Sequence, residues 1–120
     1  MPNERIIVCG DRYWKDEALI EEKLTPFSMD TVIIHGDYRG ADRIADKIAR
    51  KLHFIILKYP AEWHAKGKSA GPARNLLMLS QKPTRVIAFH DNIESSKGTK
   101  HMISLAIHTG IPYEIIKHAD

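Results

Sequence analysis

The sequence predicts an α/β protein, a three-layer sandwich with a five-stranded parallel sheet and helices on both faces. Five short runs of β-branched and aromatic residues recur along the 120 residues, and segments with helical spacing of apolar residues lie between them. The connections are about thirty residues or shorter, which favours right-handed crossovers between parallel strands. By analogy with other doubly wound sheets we predict the strand order 3-2-1-4-5, with a topological switch between strands 1 and 4.

The predicted strands are residues 5–9, 31–35, 54–57, 85–89 and 113–116. The first four runs show no polar alternation, which is typical of strands that are covered on both faces. The last run has Glu114 in its middle, so we expect it at an edge of the sheet.

Four helices are predicted between these strands. The first spans about 14–24, with Ala18, Leu19 and Leu24 buried, and the second spans about 41–52, with two adjoining stripes of apolar residues four apart.

The third predicted helix begins near Ser69 and is expected to bury Leu76, Leu77 and Leu79. The fourth spans about 97–109 and ends where a glycine is followed by a proline two residues later.

Composition limits the classes of protein that fit. Hydrophobic residues make up 43% and charged residues 28%, as in ordinary globular proteins, and no apolar stretch reaches the length of a membrane span. We expect one domain over residues 1–120, located in the cytoplasm, because a secretory signal is not evident and Cys9 is the single cysteine. The net charge of +3 favours a small anionic ligand over nucleic acid.

Two segments have the composition of phosphate-binding helix starts. Gly67–Asn75 (GKSAGPARN) and Ser95–Thr99 (SSKGT) each combine small residues with a cation where a helix should begin. The start of a helix leaves N–H groups without partners and carries a partial positive charge, so it attracts anions. Two such segments suggest a nucleotide as the ligand.

The loop after the first strand and the loop before the fourth helix should face one another across the topological switch. Ligands of doubly wound sheets bind there. The alternative is that both loop glycines are ordinary turn residues. The candidate ligand-binding residues of the two loops are Gly10, Asp11, Arg12, Ser96, Gly98 and Thr99.

The loop after the second strand, HGDYRGAD, contributes four further candidates: Gly36, Asp37, Arg39 and Asp42. Asp37 should lie at the carboxyl edge of the sheet, where it can accept ribose hydroxyls, or it is an ordinary solvated carboxylate. Asp42 falls in the first turn of the second helix, where an acidic residue commonly compensates the helix dipole or caps the helix.

The third helix supplies Gly71, Arg74 and Asn75 as candidates. Arg74 lies one turn into the helix, from where it can reach over the crevice and bind phosphate bidentately. Trp63 precedes this helix and either stacks on a base or packs as a lid on the sheet edge.

Histidines offer a weaker possibility. His35 and His90 both end strands and have Asp37 and Asp91 nearby, so a metal site is conceivable. The spacing matches no established ligand motif, and we therefore predict neither a metal nor a cofactor.

Taken together, these segments resemble a known family. The motifs IIVCGDR (6–12), HGDYRGADR (35–43), AEW (61–63), GKSAGPARN (67–75) and SKGT (96–99) are similar to those of the YspA-like, SLOG-related proteins, also catalogued as a domain of unknown function. The resemblance covers nearly the whole chain. It implies a Rossmann-like domain that binds a nucleotide or nucleotide-derived ligand, and it implies a homodimer.

The wider SLOG superfamily includes the cytokinin-activating phosphoribohydrolases, the DNA-processing DprA proteins and modules that sense cyclic ADP-ribose-like signals. The chain resembles the phosphoribohydrolases at Arg74 and at their Gly-Thr-x-x-Glu motif, but Met102 stands where that motif has glutamate. Cleavage of an N-glycosidic bond passes through an oxocarbenium-like state and calls for a positioned carboxylate. Whether the chain is an enzyme therefore stays open.

Three hypotheses follow from the sequence. The first is a domain that binds a nucleotide-derived small molecule without turning it over. The second is a nucleotide N-glycosidase in which Arg74 contacts the phosphate and Asp37 supplies the carboxylate. The third is a single-stranded DNA-binding protein like the DprA branch, which the modest net charge favours least.

Overall fold

Five strands form one parallel sheet in the computed structural model of the chain, which describes residues 4–118. The strands are β1 (Arg5–Gly10), β2 (Val32–His35), β3 (Ile55–Lys58), β4 (Arg85–Phe89) and β5 (Tyr113–Ile116). They lie in the order β3-β2-β1-β4-β5, which confirms the predicted order and its switch between the first and fourth strands.

The helices are α1 (Glu17–Leu24), α2 (Ala41–Lys51), α3 (Trp63–Lys66), α4 (Ala70–Leu79) and α5 (Lys97–Thr109). The four longer ones are those predicted from apolar spacing. The single turn of α3, which continues into a 3₁₀ turn at Gly67–Ser69, was not predicted. None of the helices between residues 4 and 118 is long and apolar enough to cross a membrane.

The two faces of the sheet bury separate apolar clusters, which confirms the three-layer sandwich. Alternate residues of β1 point to opposite sides, so that Ile6 and Val8 join the cluster under α1 and α2 while Ile7 and Cys9 join the cluster under α4 and α5. The single domain predicted over residues 1–120 stays a prediction, since residues 1–3 and 119–120 lie outside the described part of the chain.

The edge strands correct one expectation. The edge position of β3 is the one that the predicted order gives it, but the expectation that this strand is covered on both faces was wrong, since none of its residues is buried and Ile55 is 53% exposed. An apolar run without polar alternation is therefore not sufficient to show that both faces of a strand are covered. The prediction that the fifth strand lies at an edge is confirmed.

The first helix begins later than predicted. Asp16 caps α1 by accepting a hydrogen bond from the backbone N–H of Leu19 at 3.0 Å, so the helix starts at Glu17. Its buried residues are Ile20 and Leu24, and Ala18 is exposed rather than buried.

The inward face of α4 also differs from the prediction. Leu76 and Leu77 are 53% and 49% exposed, so the expectation that they are buried was wrong. The buried residues of α4 are Ala70, Asn75 and Met78, so the helix buries a polar side chain in its second turn.

Candidate functional site

The candidate site lies at the carboxyl edge of the sheet, where the loops after β1 and β2 meet the end of β4. The N–H of Asp11 donates to the carbonyl of Phe89 at 2.9 Å, and the N–H of Ala41 donates to the carbonyl of Asp11 at 3.1 Å. A Cβ on Gly10 would lie 2.3 Å from that Phe89 oxygen. Gly10 therefore permits close approach of two strands, which supports a structural role for this glycine.

Arg74 reaches from α4 to the end of β2. Its Nη1 donates to the carbonyl of Gly36 at 2.9 Å, and its Nε donates to Oδ1 of Asn75 at 3.0 Å. A Cβ on Gly36 would lie 2.1 Å from that Nη1, so the glycine leaves the space that the guanidinium occupies. Within residues 4–118, Nη2 of Arg74 has no hydrogen-bond partner. The guanidinium is thus held in place with one nitrogen still able to donate.

Asn75 connects α4 to the start of α5. It is 4% exposed, and its Nδ2 donates to the carbonyl of Gly98 at 3.2 Å and lies 3.1 Å from Nδ1 of His101. Because the same side chain accepts from Arg74, Asn75 fixes the guanidinium relative to the α5 terminus.

The start of α5 is a capped helix terminus. Oγ of Ser96 accepts from the backbone N–H of Thr99 at 3.3 Å and donates to Oγ1 of the same residue at 3.1 Å. The N–H of Thr99, one of the candidate ligand-binding residues, is therefore already used by the cap. Gly98 is exposed, and a Cβ there would meet nothing within 4 Å. The backbone at Gly98 is accordingly the accessible part of this terminus.

Asp42 is a buried carboxyl beside the guanidinium. Its Oδ2 accepts from the N–H of Tyr38 at 3.2 Å, and this oxygen and Nη1 of Arg74 both crowd the same position on Gly36. Burial raises the pKa of Asp42, opposed by the hydrogen bond from Tyr38 and by the charge of Arg74. The side chain does not cap α2, whose N-cap residue is Gly40.

Asp37 has a different environment. Its backbone has a positive φ of 54°, and its carboxylate lies 3.8 Å from Nε of Arg43. The structure thus turns this carboxylate toward Arg43 on α2, and the catalytic role predicted for it stays a prediction.

The two strand-end histidines build turns. Nδ1 of His35 accepts from the N–H of Asp37 at 2.9 Å, and Nδ1 of His90 accepts from the N–H of Asn92 at 2.9 Å. His35 is fully buried, and its Nε2 lies 2.7 Å from Oδ2 of Asp46. Across residues 4–118 no group of three or more His, Cys, Asp or Glu side chains is placed to hold a metal ion.

Beside Arg74 is a cavity of about 280 Å³. It lies between the end of β3 and helices α3 and α4, and its lining includes Tyr59, Glu62, Lys66 and Arg74. The cavity places open volume next to the fixed guanidinium.

An exposed group of aromatic and arginine side chains, here called the aromatic rim, surrounds this edge. It consists of Arg12, Tyr13, Tyr38, Arg39 and Trp63. Tyr13 is 63% and Trp63 48% exposed, and the rings of Tyr38 and Trp63 are 6.4 Å apart. Sequence reasoning missed both tyrosines. The signal that could have found them is that each adjoins an arginine in a loop that follows a strand.

Comparison with known proteins identifies the family of the chain. The family model of the YspA, cpYpsA-related SLOG family matches residues 4–65. The Gene 61 protein of Mycobacterium phage D29 is 34% identical over 119 residues, which cover 90% of this chain and 92% of that protein. The chain belongs to the YspA, cpYpsA-related SLOG family. No solved structure matches it significantly.

Membership of the SLOG family indicates nucleotide-related binding or processing. In this SLOG protein, Met102, which the resemblance places at the glutamate of the phosphoribohydrolase motif, is fully buried in the cluster under α4 and α5. A side chain buried in the core does not reach a ligand at the sheet edge, so residue 102 contributes to packing here.

Proposed function

We propose that this SLOG protein binds a nucleotide or nucleotide-derived small molecule at the carboxyl edge of its sheet, beside the switch between β1 and β4. The observation that carries the proposal is the guanidinium of Arg74, which two hydrogen bonds hold in place while Nη2 remains free to donate. A charged donor that is already ordered loses little entropy when it binds phosphate.

The start of α5 supports the same ligand. It presents the exposed backbone of Gly98 within one residue of a capped helix terminus, and Asn75 ties it to the Arg74 guanidinium. An anion placed there gains from backbone donors and from the helix dipole.

The candidate residues divide into two roles in this proposal. One group shapes the crevice: Gly10, Gly36, Gly71, Asn75, Ser96 and Thr99. The other group contacts the ligand: Asp11, Arg12, Arg39, Asp42, Trp63, Arg74 and Gly98.

The test combines a ligand screen with one variant. Purified protein is incubated with nucleoside monophosphates, NAD-derived metabolites and cyclic nucleotides, and mass spectrometry identifies both the ligand retained after desalting and any product in solution. We expect retained intact nucleotide. Arg74→Ala should then weaken its binding by about 1.5–3 kcal/mol, roughly 10- to 150-fold, because a charge-assisted contact is lost.

The matched control is Arg50→Ala, which removes an exposed arginine in the last turn of α2, where it pairs with Asp46. This variant should bind like the wild type. Equal affinity of folded Arg74→Ala and wild-type protein would contradict the proposal.

A second candidate function is a nucleotide N-glycosidase, which the buried carboxyl of Asp42 favours. The Asp42 carboxyl and the Arg74 guanidinium both lie next to Gly36. Burial raises the pKa of this carboxyl, as a general acid requires. If free base and ribose phosphate appear in the screen, Asp42→Asn should abolish their release.

Asp37→Asn is the comparison, since sequence reasoning assigned the carboxylate to Asp37. Release that survives Asp42→Asn but is lost in Asp37→Asn would show that the original assignment was correct. With Asp42 as the acid, activity should fall as pH rises through its raised pKa, because only the protonated carboxyl donates.

The homodimer and the cytoplasmic location stay predictions. Sedimentation equilibrium of the purified protein tests the first, and fractionation of the producing cell tests the second.

A further inference from the structure

The aromatic rim contains two arginines whose charge is not neutralised by neighbouring carboxylates. Over residues 4–118, neither Arg12 nor Arg39 has a carboxylate within salt-bridge distance, whereas Arg43, Arg50 and Arg85 each pair with an Asp or Glu. The surface therefore neutralises other exposed arginines and leaves these two positive.

Both arginines lie against tyrosine rings. The guanidinium carbon of Arg12 is 5.1 Å from the centroid of Tyr13, and that of Arg39 is 5.6 Å from Tyr13 and 5.9 Å from Tyr38. Nη1 of Arg12 also donates to the hydroxyl of Tyr38 at 3.5 Å. Cation–π contacts hold the two charges together on the surface.

The aromatic rim is continuous with the crevice at Arg74. The N–H of Tyr38 donates to Asp42, and the Asp42 carboxyl and the Arg74 guanidinium both lie next to Gly36. On the other side, a Cβ on Gly71, one turn before Arg74, would lie 3.5 Å from the ring of Trp63. A ligand whose phosphate contacts Arg74 can thus extend onto the rim.

A mononucleotide leaves part of this surface unused. Its phosphate would contact Arg74, and Arg12 and Arg39 would stay without an anion. The exposed indole of Trp63 offers an aromatic face on which a nucleobase can stack. The cations therefore lie at two positions, Arg74 in the crevice and the pair of Arg12 and Arg39 on the rim. A second cationic position beside an exposed stacking face matches a second phosphate with a second base.

We infer that the aromatic rim is a second nucleotide subsite, so that the ligand consists of two nucleotide units joined through phosphate. Arg12 and Arg39 contact the second phosphate, and Trp63 stacks on the second base. This inference rests on the proposed function, since the first phosphate is the one at Arg74.

The test is calorimetric titration with three probes: AMP, adenosine 3′,5′-bisphosphate and the 5′-phosphorylated diadenylate pApA. Relative to AMP, adenosine 3′,5′-bisphosphate adds a phosphate without a second base, and pApA adds both a phosphate and a second base. We expect affinity to rise at each step, with pApA at least about tenfold tighter than AMP, since a charged contact and a stacked base each contribute.

Variants assign the two steps. Arg39→Ala should remove the gain in affinity from AMP to the bisphosphate, and Trp63→Leu should remove the gain from the bisphosphate to pApA. Each gain is measured against the affinity of the same variant for AMP. The controls are Arg50→Ala and Tyr113→Leu; Tyr113 is an exposed aromatic residue of β5 with 45% exposure. Both control variants should show the same rise in affinity across the three probes as the wild type. Circular dichroism confirms that each variant is folded.

A readout in the wild type needs no variant. Trp14 is 4% exposed and Trp63 48%, so acrylamide quenches mainly Trp63. We expect pApA to protect Trp63 from quenching more strongly than AMP does.

Several outcomes would overturn the inference. Equal affinity for all three probes, with AMP still bound, removes the second subsite and leaves the proposed function intact, whereas failure of all three to bind contradicts both. Equal loss of AMP and pApA affinity in Trp63→Leu would assign the indole to the first base. Much tighter binding of the oligonucleotide (dA)12 than of pApA, with a steep salt dependence, would identify a nucleic-acid strand as the partner instead.

Discussion

The starts of α4 and α5 have similar sequences and different structures. Each contains glycine, serine and lysine: Gly67, Lys68 and Ser69 precede α4, whereas Ser96 precedes α5 and Lys97 and Gly98 are its first two residues. Ser96 is extended, with φ −126° and ψ 109°, and its side chain caps α5. Ser69 is already helical, with φ −81° and ψ −6°, and makes no side-chain cap to α4. The N–H of Ala70, the first residue of α4, is bonded to the carbonyl of Gly67 in the preceding 3₁₀ turn.

The difference shows that composition alone does not make an anion site at the start of a helix. At α5 the extended Ser96 separates the helix from the preceding turn. The cap uses the N–H of Thr99, so among residues 4–118 the backbone donors left at this terminus are those of Lys97 and Gly98. The chain enters α4 from a turn, and this helix contributes side chains from its second turn instead, Arg74 and Asn75. The two segments therefore act together, one through side chains and the other through backbone.

The contact that joins the two segments should have the largest effect when it is broken. Asn75→Ala removes the hydrogen bonds to Gly98 and from Arg74 at a buried position, so the free energy of unfolding should fall by about 2–4 kcal/mol. Urea denaturation followed by circular dichroism measures this. Asn92→Ala is the control, because Asn92 is exposed and makes no side-chain cap. Comparable stability of the two variants would mean that α4 and α5 are not coupled through Asn75.

Sequence was sufficient for the parts of the fold that depend on local pattern. Apolar runs located all five strands, and apolar spacing located the four longer helices. The strand order was predicted by analogy with other doubly wound sheets, and the structure has that order.

What the sequence could not provide depends on contacts between distant residues. The prediction that Leu76 and Leu77 are buried was wrong. The orientation of α4 goes with a hydrogen bond from Arg74 to Gly36, 38 positions away, and a bond of that sequence separation leaves no local pattern. The use of the Thr99 N–H by Ser96 was missed, because a capping serine and a phosphate-binding serine look alike in a sequence. Tyr13 and Tyr38 entered the rim only when two loops were placed side by side.

The glycines of the two segments sharpen the comparison with effects of opposite sign. Gly67 has φ 54° and ψ −131°, a conformation that other residues rarely adopt, so Gly67→Ala should lower the free energy of unfolding by about 1–3 kcal/mol. Gly98 lies in the first turn of α5 with open space around it, so Gly98→Ala should raise this free energy by about 0.5 kcal/mol. Urea denaturation of both variants provides the check. If both variants changed the free energy of unfolding in the same direction, the described difference in backbone conformation between the two helix starts would be contradicted.

The serines test the caps themselves and should have the smallest effect. Ser96→Ala removes the acceptor for the N–H of Thr99, so the free energy of unfolding should fall by about 1 kcal/mol. Ser69→Ala removes only an exposed hydroxyl that donates to the carbonyl of Lys66, so its effect should stay within about 0.5 kcal/mol. Thermal unfolding measured by circular dichroism distinguishes the two. Because the substitutions are chemically identical, a larger loss at Ser69 than at Ser96 would contradict the assignment of the stabilising side-chain cap to α5.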